Sequence, residues 1–125
     1  MAKILYYNLN PTKAAKLKML CRSLFIEAVE VDKDDYGKKI AAVLDGTAAS
    51  QPPQPADVDG EMLYFSGMNG TMVSVLLNQL RRKKLSVALK AMQTETNVNF
   101  TSAELYRELI AERDAIAKGT TAHAE

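Results

Sequence analysis

Polar side chains gather where three apolar runs of this chain end, and they are the residues best placed to hold a ligand. Asn8 and Asn10 follow the run KILYY, and Ser66, Gly67, Asn69 and Gly70 follow EMLYF. Lys90, Thr94, Thr96 and Asn97 lie at the end of SVALKAM and in the loop after it. Amides, hydroxyls, one cation and two helix N-termini brought together would make a cup for an anion or a small polar molecule. The cup forms if the runs are parallel strands, because their carboxyl ends then emerge along one sheet edge. The same residue types also build ordinary turns and caps for backbone reasons alone. Lys90 interrupts an apolar run, and its stem can lie along the sheet while the amine reaches water. A phosphate-contacting lysine of a receiver-like domain would sit similarly. No Asp ends the first or third run, however, so magnesium-dependent phosphoryl acceptance is not expected.

Other chemistry is thinly represented. Cys21 falls on the apolar stripe of a helix, which suits a small core residue better than a nucleophile. His123 stands alone in the tail. There is no Gly-rich phosphate loop, no GxSxG and no metal-spaced ligand set, so no cofactor and no metal are expected.

The elements that must position the cup follow from periodicity. Lys3 to Leu9 reads as a strand covered on both faces, followed by a helix capped by Thr12 and running to about Leu24. Glu27 to Asp32 alternates, with Val29 and Val31 inward, and its acids suggest a sheet edge. Tyr36 to Leu44 reads as a short helix ended by Gly46. Residues 47–60, TAASQPPQPADVDG, carry three prolines and read as a mobile, passive surface loop without a regular element. Glu61 to Ser66 is a second strongly apolar strand. Met72 to Leu80 is a helix closed by the basic run Arg81 to Lys84, and Ser86 to Met92 is the next strand. Thr101 and Glu104 form a capping box between Phe100 and Leu105. The helix after it runs to about Lys118 with Leu105, Leu109 and Ile116 inward, and residues 120–125 read as a disordered tail. A strand and a helix alternate throughout. This predicts one α/β domain over residues 1–119, a three-layer sandwich on a mostly parallel four-stranded sheet in order 2-1-3-4, with the two most apolar strands central.

Charge and cysteine usage bound the partners. Sixteen basic and fifteen acidic side chains nearly cancel, to +1, which argues against nucleic acid and against an anionic membrane for the chain as a whole. The Arg81 to Lys84 cluster can still act locally, although a solvated helix end suits it better. One cysteine forbids an internal disulfide and fits the cytoplasm. The opening MAKILYYNLN lacks the apolar core of a signal peptide, and no apolar run is long enough to span a bilayer.

Particular stretches also resemble a known family. ILYYNL, the strand EMLYFSG and the long stretch VALKAMQTETNVNFTSAELYRELIAE resemble a small bacterial domain family of unknown function, DUF3783. The motif is an ALKA strand end, the loop Thr94-Glu95-Thr96-Asn97, and Glu-Leu pairs at Glu104-Leu105 and Glu108-Leu109. The similarity runs from Lys3 to about Lys118 and is densest from Glu61 onward. It implies a fold and brings no activity, substrate or cofactor. The expectation is therefore a cytoplasmic binding or regulatory module. A small enzyme acting on a polar or anionic molecule, and a protein interaction domain, are the alternatives.

Overall fold

The computed structural model describes residues 1–117. The expected tail at 120–125 and His123 lie outside the described residues. Four strands and four helices alternate: β1 (Lys3–Tyr7), α1 (Pro11–Ser23), β2 (Glu27–Glu30), α2 (Ile40–Asp45), β3 (Met62–Ser66), α3 (Gly70–Arg82), β4 (Leu89–Met92) and α4 (Ser102–Ala117). The sheet order is β2-β1-β3-β4, as the apolar content of the runs predicts. β1 pairs in parallel with β2, and β3 with β4. The central pair is antiparallel, with Lys3 opposite Ser66 and Tyr7 opposite Met62. The sheet is thus mostly parallel, but the expectation that strands one, three and four all end on one edge is overturned. Short βαβ crossovers force the two outer pairs to be parallel. Residues 31–61, which join the halves, are long enough to return the chain in either direction.

Period-two alternation sends each central strand to both faces of the sheet. Ile4, Tyr6, Leu63 and Phe65 pack under α1 and α3 with Leu17, Leu20, Cys21, Leu76 and Leu80. Leu5, Tyr7, Met62 and Tyr64 pack on the other face with Ile40, Val58, Ala103 and Leu105. The layers are therefore α1 and α3, the sheet, then α2 and α4.

The first strand, the helix and both helix caps of the two βαβ units repeat at an offset of 59 residues, the distance from Asn10 to Asn69. Each has a five-residue strand and a thirteen-residue helix. Each helix is capped by an asparagine whose side chain accepts from the third helical amide, Lys13 or Met72. Each ends in a left-handed residue, Phe25 or Lys84. The next amide then reaches back, Ile26 to the Cys21 carbonyl at 2.8 Å and Leu85 to the Leu80 carbonyl at 2.9 Å, closing a Schellman-type cap.

Several boundaries differ from the periodicity reading. Asn10 rather than Thr12 caps α1, with Pro11 at the first helical position, where a missing N–H costs nothing. α2 starts at Ile40 and not at Tyr36, because residues 36–38 continue the turn after Asp35 and Lys39 bridges to Thr101. α3 starts two residues earlier than its apolar face suggests, at Gly70, and β4 begins at Leu89 instead of Ser86. Ile116 is exposed, since α4 outruns the sheet it packs on.

The segment read as a passive loop is anchored. It opens with a 3-10 turn, Thr47–Ser50, and Val58 enters the core. The Gln54 amide donates to the Asp34 carbonyl and the Gly37 amide to the Gln54 carbonyl, both at 2.7 Å. Buried Lys38 donates to Asp35 Oδ1 at 2.6 Å and to the carbonyls of Ala48 and Gln51 at 2.8 and 3.2 Å, which uses all three ammonium protons.

The capping box of α4 is present in full. Thr101 N–H donates to Glu104 Oε1 at 2.8 Å, and Glu104 N–H to Thr101 Oγ1 at 3.1 Å. Hydrogen bonding from the Thr101 backbone amide, and then from its side chain, holds the Glu104 carboxyl below its ordinary range. Thr101→Ala should destabilise the fold by about 1 kcal/mol, measured by urea unfolding. A depressed folded value means that the carboxylate's share is present above the unfolded value and fades as pH falls through the folded one. The deficit of a Glu104→Ala variant should therefore shrink in acid, and a deficit constant with pH would contradict the box.

Candidate functional site

The antiparallel centre divides the candidate residues between two opposite edges. Asn8 and Asn10 stand at the carboxyl end of β1, beside the amino end of β3. Ser66, Gly67, Asn69 and Thr94 stand at the carboxyl ends of β3 and β4. The shared cup containing all of them does not exist.

The β1 corner is filled. Asn8 adopts φ 61°, which its short amide side chain tolerates. Its Nδ2 donates to the carbonyls of Val58 and Gly60 at 2.7 and 3.0 Å, and its Oδ1 accepts from the Tyr36 hydroxyl at 3.1 Å. Burial, then the negative fields of Asp32 and Glu30, push the Tyr36 hydroxyl up, so it remains a donor. Lys13 closes the corner with Glu61 at 2.7 Å and the Ser86 carbonyl at 2.7 Å. Asn8 and Asn10 are thus committed to structure.

The equivalent β3 corner is open. A shallow cleft of about 780 Å³ lies there. Ser66, Asn69, Gln93, Thr94 and Glu95 line it with polar groups, and Phe65, Met68, Met92 and Val98 supply apolar surface. Gly67 takes φ 71° at the turn, and the Met1 carbonyl closely approaches the place where a Cβ would stand, so no other residue fits. Ser66 Oγ donates to Gln93 Oε1 at 2.6 Å across the cleft. Asn69 caps α3, and the space around Gly70 is open.

Lys90 does not reach this cleft. Its neighbours Leu89 and Ala91 pack toward α4, so its side chain takes the α3 face. There its ammonium donates to the Val87 carbonyl at 2.5 Å. It lines a separate hollow of about 400 Å³ with Leu77, Leu80, Arg81 and Lys84.

The loop from Thr94 to Asn97 is held by its own side chains. Thr94 N–H donates to Asn97 Oδ1, and Asn97 N–H to Thr94 Oγ1, both at 2.9 Å. Asn97 Nδ2 donates to the Met92 carbonyl at 3.0 Å, and the buried Tyr64 hydroxyl donates to Asn97 Oδ1 at 2.7 Å. Asn97 is a structural knot and does not line the cleft. Thr96 is exposed beside it and makes no cap bond. Gln93 and Glu95 are cleft residues that strand-end reasoning passed over. Their signal was adjacency to Thr94 in the loop.

Titratable groups displaced by their surroundings lie elsewhere. Burial pushes the Tyr7 and Tyr64 hydroxyls well up and the Cys21 thiol to about 11, so Cys21 is protonated and inert at neutral pH. Among the described residues no group of His, Cys, Asp or Glu is arranged to hold a metal. No helix among them is long and apolar enough to cross a membrane.

Fold and cleft together define an α/β sandwich of two βαβ units with one open strand-end crevice. Residues 61–116, which hold β3, α3, β4 and nearly all of α4 and so carry the crevice, match the model of a domain of unknown function, DUF3783. The resemblance carried by EMLYFSG, Thr94-Glu95-Thr96-Asn97 and the Glu-Leu pairs falls on that same segment. No curated protein matches the chain, and no solved structure does.

Proposed function

We propose that the protein is a small cytoplasmic binding module whose ligand seat is the crevice at the carboxyl ends of β3 and β4. One observation carries this reading. Two like strand-turn-helix corners occur in the same chain, and only the β1 corner is plugged, by Asn8, Tyr36 and the anchored segment of residues 51–60, the strap. The β3 corner keeps its polar rim and apolar floor exposed. A crevice at the carboxyl ends of parallel strands is where open α/β sheets take ligands. Its chemistry suits a small polar molecule with an apolar part. Ser66, Gln93 and Thr94 offer hydrogen bonds, Met68 and Met92 adaptable surface, and the α3 N-terminus free amides. No Lys or Arg lines it, and Glu95 does, so its side chains give anions no preference.

Amide chemical shifts during a screen of polar metabolites test the reading. Shifts should cluster on Ser66, Asn69, Thr94 and Glu95 and vanish in Gln93→Trp, whose indole would fill the crevice. Shifts that cluster elsewhere, or persist in Gln93→Trp, would refute it.

A further inference from the structure

The near-zero net charge conceals a one-sided distribution. Residues 10–26 and 67–92 hold nine Lys and Arg and no Asp or Glu, leaving seven cations against fifteen acids in the rest of the chain. These two stretches are α1 and α3 with their turns and β4, and both helices cover the same face of the sheet. Among the described residues, Lys13 alone of the nine has a carboxylate within ion-pair distance. Lys16, Lys18 and Arg22 on α1, and the run Arg81 to Lys84 at the end of α3, are all exposed.

Apolar side chains are exposed among these cations. Four of the seven large exposed apolar side chains of the described residues belong to this layer: Met19, Phe25, Met72 and Val75. Met19 is 69% exposed on the outward stripe of α1, between Ala15 and Arg22, with Lys16 and Lys18 to either side. Phe25 is 88% exposed and sits at φ 58°, the left-handed position where glycine ends a helix without strain. An aromatic there adds backbone strain and buries nothing, so folding does not account for it.

We propose that the α1 and α3 layer docks on an anionic lipid surface, with its lysines and arginines at the lipid phosphates and Phe25 and Met19 entering the headgroup region. Charge complementarity selects a polyanion. The exposed apolar tips select lipid over nucleic acid, because Met19, Met72 and Val75 have no ring to stack on a base and Phe25 is the only exposed aromatic of the layer. The whole-chain charge says nothing against this, since the acids lie mainly on the opposite layer and the connections, and salt screens at about 8 to 10 Å.

Co-sedimentation with vesicles tests it on the full chain. Vesicles of phosphatidylcholine alone are compared with vesicles containing one third phosphatidylglycerol, with a short DNA duplex as a parallel arm. The protein should sediment with anionic vesicles only, and salt should weaken the association. Phe25→Gly should lower the partition about tenfold while melting at or above the parent temperature, because it relieves a left-handed phenylalanine. The pair Lys83→Glu and Lys84→Glu should abolish it. Equal partition to both vesicle types, sedimentation with neither, an unchanged partition for Phe25→Gly, or tighter binding to the duplex than to anionic vesicles at the same salt would overturn the proposal.

Discussion

Asn97→Ala is expected to destabilise the protein by about 3 kcal/mol in urea unfolding, a large loss for a residue on a polar surface loop. Its side chain accepts from the Thr94 amide and the Tyr64 hydroxyl and donates to the Met92 carbonyl. The Tyr64 ring is fully buried, and its hydroxyl donates to Asn97 Oδ1. Removing the acceptor strands a buried donor, which costs about 1 to 3 kcal/mol by itself. The other two bonds fix the course of the chain out of β4. Tyr64→Phe removes the donor and should cost less, about 1 kcal/mol. The double variant should then be more stable than the sum of the two single losses implies, because one shared bond is counted in both. Strict additivity, or a loss for Asn97→Ala under about 1 kcal/mol, would show that the loop is held by something other than this knot. Since Gln93, Thr94 and Glu95 border the crevice, Asn97→Ala should also weaken any ligand bound there.

Gly37→Ala is the second large expected effect, about 2 kcal/mol, from forcing a methyl into a filled contact. A Cβ on residue 37 would stand 2.5 Å from the Gln54 carbonyl oxygen and 3.3 Å from its carbon. That carbonyl cannot swing away without losing the Gly37 amide, which it accepts at 2.7 Å, and Gln54 is held in turn by the Asp34 carbonyl. Either the strap lifts or the turn after Asp35 shifts. Hydrogen exchange would locate the strain, with Gly37 and Gln54 amides opening first while β1 and β3 stay protected. Protection unchanged at both amides would mean that residues 51–60 are only loosely laid on the body.

Local physics alone specified a good part of this protein. The capping box at Thr101 and Glu104 was readable because both of its bonds close within four residues. The strand order followed from composition, since only strands covered on both sides can be as apolar as KILYY and MLYFS, whose central residues Leu5 and Tyr64 are fully buried. The caps Asn10 and Asn69 were misplaced, with Thr12 read for α1, although Pro11 at the first helical position marks the residue before it as the cap. The strap was misread because its anchors lie in other segments. Its prolines preclude a helix, but whether Val58 and Gln54 find partners depends on Asn8, Asp34 and Gly37.

The decisive feature came only from the tertiary structure. A βαβ crossover dictates the direction of its second strand, but the passage between β2 and β3 carries no such constraint. The direction of β3 against β1 was therefore settled by packing, with Ile4 opposite Phe65 and Leu5 opposite Tyr64. That one choice split the candidate residues between two edges, plugged one corner and left the other open. It also brought α1 and α3, each free of acidic residues, onto one face. Their lack of acids is visible in the chain, but a shared cationic surface exists only once the antiparallel centre puts both helices on the same side of the sheet.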